Sequence, residues 1–260
     1  MKQQWILAVL VILILALLGG IYSLGYRIGP GLSILKTHTL TINGLAPGTQ
    51  VFADLTSRGI AKQHSFSIEL TPGSHSILAN VDGYQPWEGL VTVPENTNAS
   101  VYAFLIPKTV APKELLGADA LRAQKLIDAA ELPTASTTLS LLGGCAEAFV
   151  LNNRLLAEST AGTSCAPAPY LEATEGTSTP TIIFSPVDTI RSVVLYPGRS
   201  DAFVITAGTQ VYALGLDPRS PQAFSKLISG VAPVLTEELD GTLLIADAGH
   251  VYSLVLPSLK

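Results

Sequence analysis

From Trp5 to Tyr26 the chain reads WILAVLVILILALLGGIYSLGY without a single charge, and nothing else in it restricts the possible folds as strongly. As an α-helix this run extends about 33 Å, which matches a hydrocarbon core of roughly 30 Å. Thirteen of its residues are Ile, Leu or Val, and at roughly −0.3 to −0.6 kcal/mol each they favour insertion by about 4 to 8 kcal/mol. A secretory h-region is shorter, roughly 7 to 15 residues, and no A-x-A-like cleavage site follows the run. The expectation is a transmembrane helix over 5–26, in contact with the lipid bilayer and preceded by a flank of residues 1–4. Trp5 at one end and Tyr22 and Tyr26 at the other stand at the headgroup layers, with Arg27 snorkelling outward. Lys2 precedes the run while Arg27 and Lys36 follow it, so basic residues alone leave its orientation open. A short N-terminal flank before one signal-like span puts the N-terminus in the cytoplasm and the long remainder outside.

Past a Gly/Pro-containing stalk over 27–36, the pattern changes to period two. Leu40 and Ile42 alternate with Thr39, Thr41 and Asn43; Val51 and Ala53 with Gln50, Phe52 and Asp54; Phe66, Ile68 and Leu70 with Ser65, Ser67 and Glu69. Each reads as a short half-buried strand. Asn43-Gly44, Pro47-Gly48, Arg58-Gly59, Pro72-Gly73 and Asp82-Gly83 supply turns between them. Strands at that spacing predict a small antiparallel sandwich over 37–108.

Two stretches carry a resemblance. LTPGSHSILANVDGYQPWEGLVTV, from Leu70 to Val93, looks like the diagnostic half of a PEGA domain: a strand, a Pro-Gly turn, an alternating strand and a Gly-Tyr pair. LTINGLAPGTQVFAD, from Leu40 to Asp54, resembles that family's opening hairpin, although Leu55 to Lys62 replace its usual Gly-rich turn. The resemblance implies a small extracytoplasmic β-sandwich of a bacterial cell envelope, with no catalytic residues to carry over. Tyr84 and Trp87, delivered to the sheet by the turn at Gly83, either plug the end of the sandwich or form an exposed aromatic binding surface.

A linker over 109–135 has helical period. Within Lys113–Leu132, Leu116, Ala120, Ala123, Ile127 and Ala130 share one face, with Pro112 before the start and Pro133 after the end, as a short amphipathic helix requires. Gly117 weakens it. The last region, 136–260, is again β. DAFVITAGTQVYALGL, Asp201 to Leu216, is echoed by GTLLIADAGHVYSLVL, Gly241 to Leu256, at an offset of 40 residues, close to the roughly 40 to 45 of a propeller blade. Glu147 to Ser159 is a third, weaker copy. Closed propellers typically have about four to eight blades, and this region holds two or three. Either it is a truncated propeller-like stack, or the echo is two hairpins of another all-β fold, or protomers complete it. Ser159 to Pro180, rich in Ser, Thr, Ala, Gly and Pro, reads as a long surface loop. The fold class is therefore mainly β: an N-terminal transmembrane helix, a PEGA-like sandwich and a second β domain with propeller-like repeat strands.

Reactive constellations do not emerge. G-x-S-x-G, H-E-x-x-H, the phosphate-loop pattern and C-x-x-C are all missing from the sequence. His38, His64 and His75 fall in or near sandwich strands and His250 at a hairpin turn, with no two sharing a face with an acid. The acids Asp217, Glu237, Glu238, Asp240 and Asp247 are the remaining enzymatic candidates, since a pair about 5 to 10 Å apart would suit glycoside hydrolysis. Their spacing lacks the D-x-D-x-D-G calcium pattern. Cys145 and Cys165 would close a loop of about 20 residues worth roughly 3 kcal/mol in an oxidising compartment, or else remain small buried thiols. With 15 basic against 20 acidic residues and no basic stripe, nucleic acid is not an expected partner. The reading is a membrane-anchored extracytoplasmic binding or adaptor protein with no enzymatic site, cofactor or metal, meeting an envelope polymer or a protein. Its alternatives are a purely structural envelope spacer and a cell-wall hydrolase using the carboxylates.

Overall fold

The computed structural model describes residues 2–23, 26–28, 34–160, 170–171, 179–219 and 221–257. The chain forms two compact units: Met1–Leu78 with Leu90–Ala103, and Ala79–Gly89 with Phe104–Lys260.

The first unit begins with helix α1, Lys2–Ser23. Here the expected transmembrane helix is corrected: among the described residues no helix is long and apolar enough to cross a membrane. Among the described side chains of α1 is the run from Leu10 to Leu17. Those side chains are exposed. The expected stalk contains a two-stranded antiparallel ribbon, β1 (Tyr26–Ile28) and β2 (Ile34–Lys36).

The expected alternating strands follow as β3 (His38–Asn43), β4 (Gln50–Ala53), β6 (Ser65–Leu70) and β7 (Gly73–Asn80), and the structure adds β5 (Thr56–Ile60), β8 (Trp87–Val93) and β9 (Ala99–Tyr102). They make two sheets, β6-β3-β9 and β5-β4-β7-β8. Each buries one face: Leu40, Ile42, Ile68 and Leu70 on the first, Val51, Ala53, Ile77 and Val93 on the second. Side chains on a strand alternate between faces, so the intervening Thr, Ser and Glu turn to solvent. Strand β3 pairs antiparallel with β6 and parallel with β9.

The second unit opens with β10 (Lys113–Leu115) and α2 (Gly117–Asp128). This shortens the expected helix: its first turn is a strand, because Lys113, Glu114 and Leu115 pair with Ser253, Tyr252 and Val251. The helix then begins at Gly117, whose φ of +59° only glycine adopts at low cost. Ala123 and Ile127 are buried on it as the 3.6 period predicts, whereas Leu116 is exposed. Eleven strands follow: β11 (Leu139–Leu141), β12 (Ala146–Leu151), β13 (Arg154–Ser159), β14 (Thr181–Phe184), β15 (Ile190–Leu195), β16 (Ala202–Ala207), β17 (Gln210–Gly215), β18 (Phe224–Ser229), β19 (Val234–Glu237), β20 (Leu243–Asp247) and β21 (His250–Leu254).

These strands make three four-stranded antiparallel sheets, β11-β12-β13-β14, β15-β16-β17-β18 and β10-β21-β20-β19. Each is an up-and-down meander; the third takes its fourth strand from the start of the unit. All three hairpins singled out in the sequence are the central pairs, β12–β13, β16–β17 and β20–β21. The first two sheets share one core, including Leu141, Leu155, Ile183, Phe203, Ile205 and Leu214. In the third, Leu244 and Val251 pack against Ala123 and Ile127 of α2.

One polar network sits among these apolar residues. Ser192 on β15 and Thr206 on β16 lie 2.6 Å apart, hydroxyl to hydroxyl, and the Leu235 N–H of β19 donates to the Ser192 Oγ at 2.9 Å. It ties the inner strand of the second sheet to that of the third. Ser192→Ala leaves a buried N–H and a buried hydroxyl without this partner, and is expected to destabilise the protein by about 1–3 kcal/mol. Urea unfolding of the variant against the parent protein measures it.

Candidate binding site

The hairpin tips fix how neighbouring sheets of the second unit meet. At the β12–β13 tip, Asn152 and Asn153 both have positive φ, as a type I′ turn needs. The Asn153 amide donates to the Asp188 carbonyl at 3.0 Å, and its Oδ1 accepts the Ile190 N–H at 2.8 Å, which ties the tip to the segment entering the second sheet. At the β16–β17 tip the Gly208 N–H donates to Thr189 O, and Thr209 O accepts the Gly230 N–H. At the β20–β21 tip Asp247 Oδ1 accepts the Ala232 N–H at 2.7 Å, while the Val231 N–H donates to both carboxylate oxygens at 2.9 and 3.0 Å. Gly230 allows that approach: a Cβ there would collide with the Asp247 carboxylate.

Between the first and second sheets the outer cleft is filled by rings. Phe184 of β14, Tyr212 of β17 and Phe224 of β18 lie 5.1–5.8 Å apart centroid to centroid, with Tyr212 and Phe224 stacked at 25°. Such pairs contribute roughly 0.5–1.5 kcal/mol beyond area burial. Gln222 adds polar links, its amide donating to Ile183 O and Gly215 O at 3.2 and 3.0 Å. Phe224 keeps 45% of its surface exposed.

Register identifies the corresponding positions one sheet further on. Phe184 pairs with Leu155, one residue past the β12–β13 tip pair, and Ile228 pairs with Val211, one past the next tip pair; in both sheets a register shift follows at once. Tyr212 corresponds to Tyr252 through the offset of 40. Phe224 lies two residues along β18 from Lys226, the partner of Tyr212; Pro112 lies two residues before Glu114, the partner of Tyr252. Three rings in the first cleft thus become Ile228, Tyr252 and Pro112 in the second. The smaller side chains leave a cavity of about 210 Å³, lined also by Val211, Pro233 and Asp247.

Of the site residues singled out in the sequence, Asp247 lines this cleft, and the others that are described lie elsewhere. Trp87 is buried, its ring so close over Gly89 that a Cβ there would stand 2.8 Å from it; Tyr84 is half-buried and its backbone bridges Pro107. Tyr22 and Tyr26 are exposed, while the side chains of Trp5 and Arg27 lie outside the described set. Cys145 is in a disulfide; Cys165, the partner expected for it, lies outside the described residues, as does most of the expected loop over 159–180. Glu237, Glu238 and Asp240 share the β19–β20 turn, while Asp217 follows β17 and Asp247 ends β20. Asp217 pairs with Arg219 at 2.6 Å and Glu238 with Arg122 at 2.6 Å, Asp240 accepts the Thr242 N–H, and Asp247 holds the loop before β19. Burial pushes the Glu237 carboxyl above the ordinary carboxylate range. No cluster of three or more His, Cys, Asp or Glu suited to a metal occurs among the described residues.

Two histidine–carboxylate contacts escape the sequence reading because their partners are distant in the chain. His250 Nδ1 is 2.7 Å from Glu114, between β21 and β10. His75 Nδ1 is 2.7 Å from Asp54 Oδ2 and its Nε2 is 2.7 Å from Thr71 O. Asp54 also accepts the Ser76 N–H at 3.1 Å and, with Leu55, forms the β4–β5 turn at positive φ.

No protein-family model matches the chain, and no curated protein matches it.

Burial raises the Asp54 pKa, and the bonds from His75 and Ser76 outweigh it, holding the carboxyl below its ordinary value. A carboxylate with a lowered folded pKa contributes stability that is present above about pH 4 and is lost as pH falls through the folded value. Asp54→Asn is therefore expected to be less stable than the parent protein at neutral pH, with the gap closing under acid. Unfolding curves across that range check it.

Proposed function

We propose that the chain is a non-catalytic binding or adaptor protein of the extracytoplasmic cell envelope. The second unit engages the partner, and the first, resembling a PEGA domain, serves as its spacer. The open cleft between the second and third sheets carries this reading. The same fold fills the equivalent cleft with three rings, while here it leaves about 210 Å³ beside a tyrosine and a carboxylate. Binding sites are mostly apolar concavities with a few placed polar groups, and this cleft has that composition. Of the five carboxylates, Asp217, Glu238, Asp240 and Asp247 are engaged by an arginine or by backbone N–H groups, which favours a structural role for them over the alternative hydrolytic reading. Disulfides persist in oxidising compartments, so the bonded Cys145 supports an exported location and, on this reading, pairs with Cys165. Exposed apolar patches mark membrane or protein contacts, and the side chains of Leu10–Leu17 supply a contact with the surface of a lipid bilayer.

Ile228→Phe restores in the second cleft the ring that Phe184 supplies in the first. It is expected to remove retention of envelope polymers or proteins by the immobilised full chain while leaving the thermal midpoint within a few degrees. Equal retention by variant and parent would favour the spacer reading. The bilayer contact is checked by flotation with phospholipid vesicles: the full chain rises with them, and Leu13→Glu with Leu15→Glu abolishes co-flotation.

A further inference from the structure

Resting on the proposed binding role of this cleft, we infer that its ligand is an arginine side chain of a partner protein. The cleft offers a narrow set of contacts. Val211, Ile228 and Ile245 form apolar walls, Tyr252 offers a ring, and Asp247 is the only residue of formal charge among those that line it. At about 210 Å³ the space is below the roughly 300–1,000 Å³ of sites that enclose a whole small molecule, and it suits one side chain.

Charge and shape select which one. A carboxylate accepts at about four positions. In Asp247 the Ala232 and Val231 N–H groups both reach Oδ1, while Oδ2 shares only the Val231 donor, so Oδ2 retains capacity for a further donor. The site therefore complements a cation. It also complements a plane, because the ring that would lie on Tyr252, as Phe224 lies on Tyr212 in the first cleft, is replaced by Pro112. Guanidinium is flat, permanently charged and able to stack on an aromatic face while donating to a carboxylate, whereas an ammonium is a compact, strongly hydrated point charge.

The chain uses this trio twice within its second unit. The Arg199 guanidinium lies 4.9 Å over the Phe104 ring and bonds both oxygens of Asp201 at 2.8 and 2.7 Å. Arg219 lies 5.3 Å over Tyr170 and bonds Asp217 at 2.6–3.2 Å. In the cleft the ring and the carboxylate are present as Tyr252 and Asp247, and no arginine of the chain is among the residues that line it.

The probe is the blocked tripeptide acetyl-Gly-Arg-Gly-amide, titrated into the ¹⁵N-labelled full chain and followed by amide shifts of Gly230, Val231 and Tyr252. The citrulline peptide, equal in shape but uncharged, is expected to bind about ten-fold or more weakly, because the bond to the carboxylate loses its charge assistance. Lys and Phe peptides are also expected to bind less well. Ile228→Phe, which fills the cleft, and Tyr252→Leu, which removes the stacking face, each abolish the arginine-dependent shifts, so a folding defect in one leaves the other informative. Equal binding of the arginine and citrulline peptides, a preference for the Phe peptide, or unchanged binding by folded Ile228→Phe would overturn the inference. Should the arginine peptide not bind while Ile228→Phe still removes envelope retention, the cleft remains the binding site and the arginine assignment fails.

Discussion

The geometry of the second unit depends on hydrogen bonds at its three hairpin tips. Chain passing from the outer strand of one sheet to the inner strand of the next leaves the ladder, and its backbone groups need partners. Asn153, Thr209 and Asp247 provide them from the neighbouring tips. These bonds join neighbouring sheets at their tips, while the side chains between the sheets differ in volume from one cleft to the next. Phe184, Tyr212 and Phe224 close one; Ile228, Tyr252 and Pro112 leave the other open. Protein interiors normally pack with few voids, which makes the contrast between two equivalent clefts informative.

Much of the fold was legible because it is written at short range. Alternation at Leu40 and Ile42, at Ile68 and Leu70 and at Ile77 and Ala79 marks buried faces, and the echo between Ile205 and Ile245 marks repeated hairpins. The third copy was fainter for two reasons. Its tip begins at Asn152, 56 residues before Gly208 rather than the 40 that separate Gly208 from Ala248, because the long segment between β13 and β14 intervenes. Its turn is Asn152-Asn153, which reaches positive φ without glycine. Strand β10 was read as helix because Lys113–Leu115 continue a helical period; its extended state comes from β21, far along the chain. The apolar N-terminal run reads as a membrane span, whereas among the described residues no helix is long and apolar enough to cross a membrane.

The candidate site was less legible than the fold. Pro112, Val211, Ile228, Asp247 and Tyr252 come from separate elements, and none is unusual in its own local pattern. The signal available in the sequence was a difference inside the repeat: Tyr212 and Tyr252 align, yet Phe184 and Phe224 beside the first correspond to Ile228 and Pro112 beside the second. Seeing that requires the register of outer strands, which the hairpin echo does not contain. Tyr84 and Trp87 drew attention as aromatic residues beside a turn, but a ring laid over Gly89 belongs to the packing of its own strand. The carboxylates likewise stood out by number, while Arg219, Arg122 and the backbone after β18 engage Asp217, Glu238 and Asp247 locally.

The pairing of β10 with β21 spans about 140 residues, as the bond from Ser253 to Lys113 O shows. At roughly 5 to 20 residues per second of synthesis, β10 leaves the ribosome about 7 to 28 s before the strand it joins. Until β21 emerges β10 lacks its partner, and unpaired edges are where chains associate wrongly. Strand β21 thus acts as a catch: translation reaching it supplies the partner of β10 and completes that sheet, and a product cut short ahead of it leaves the edge of β10 exposed.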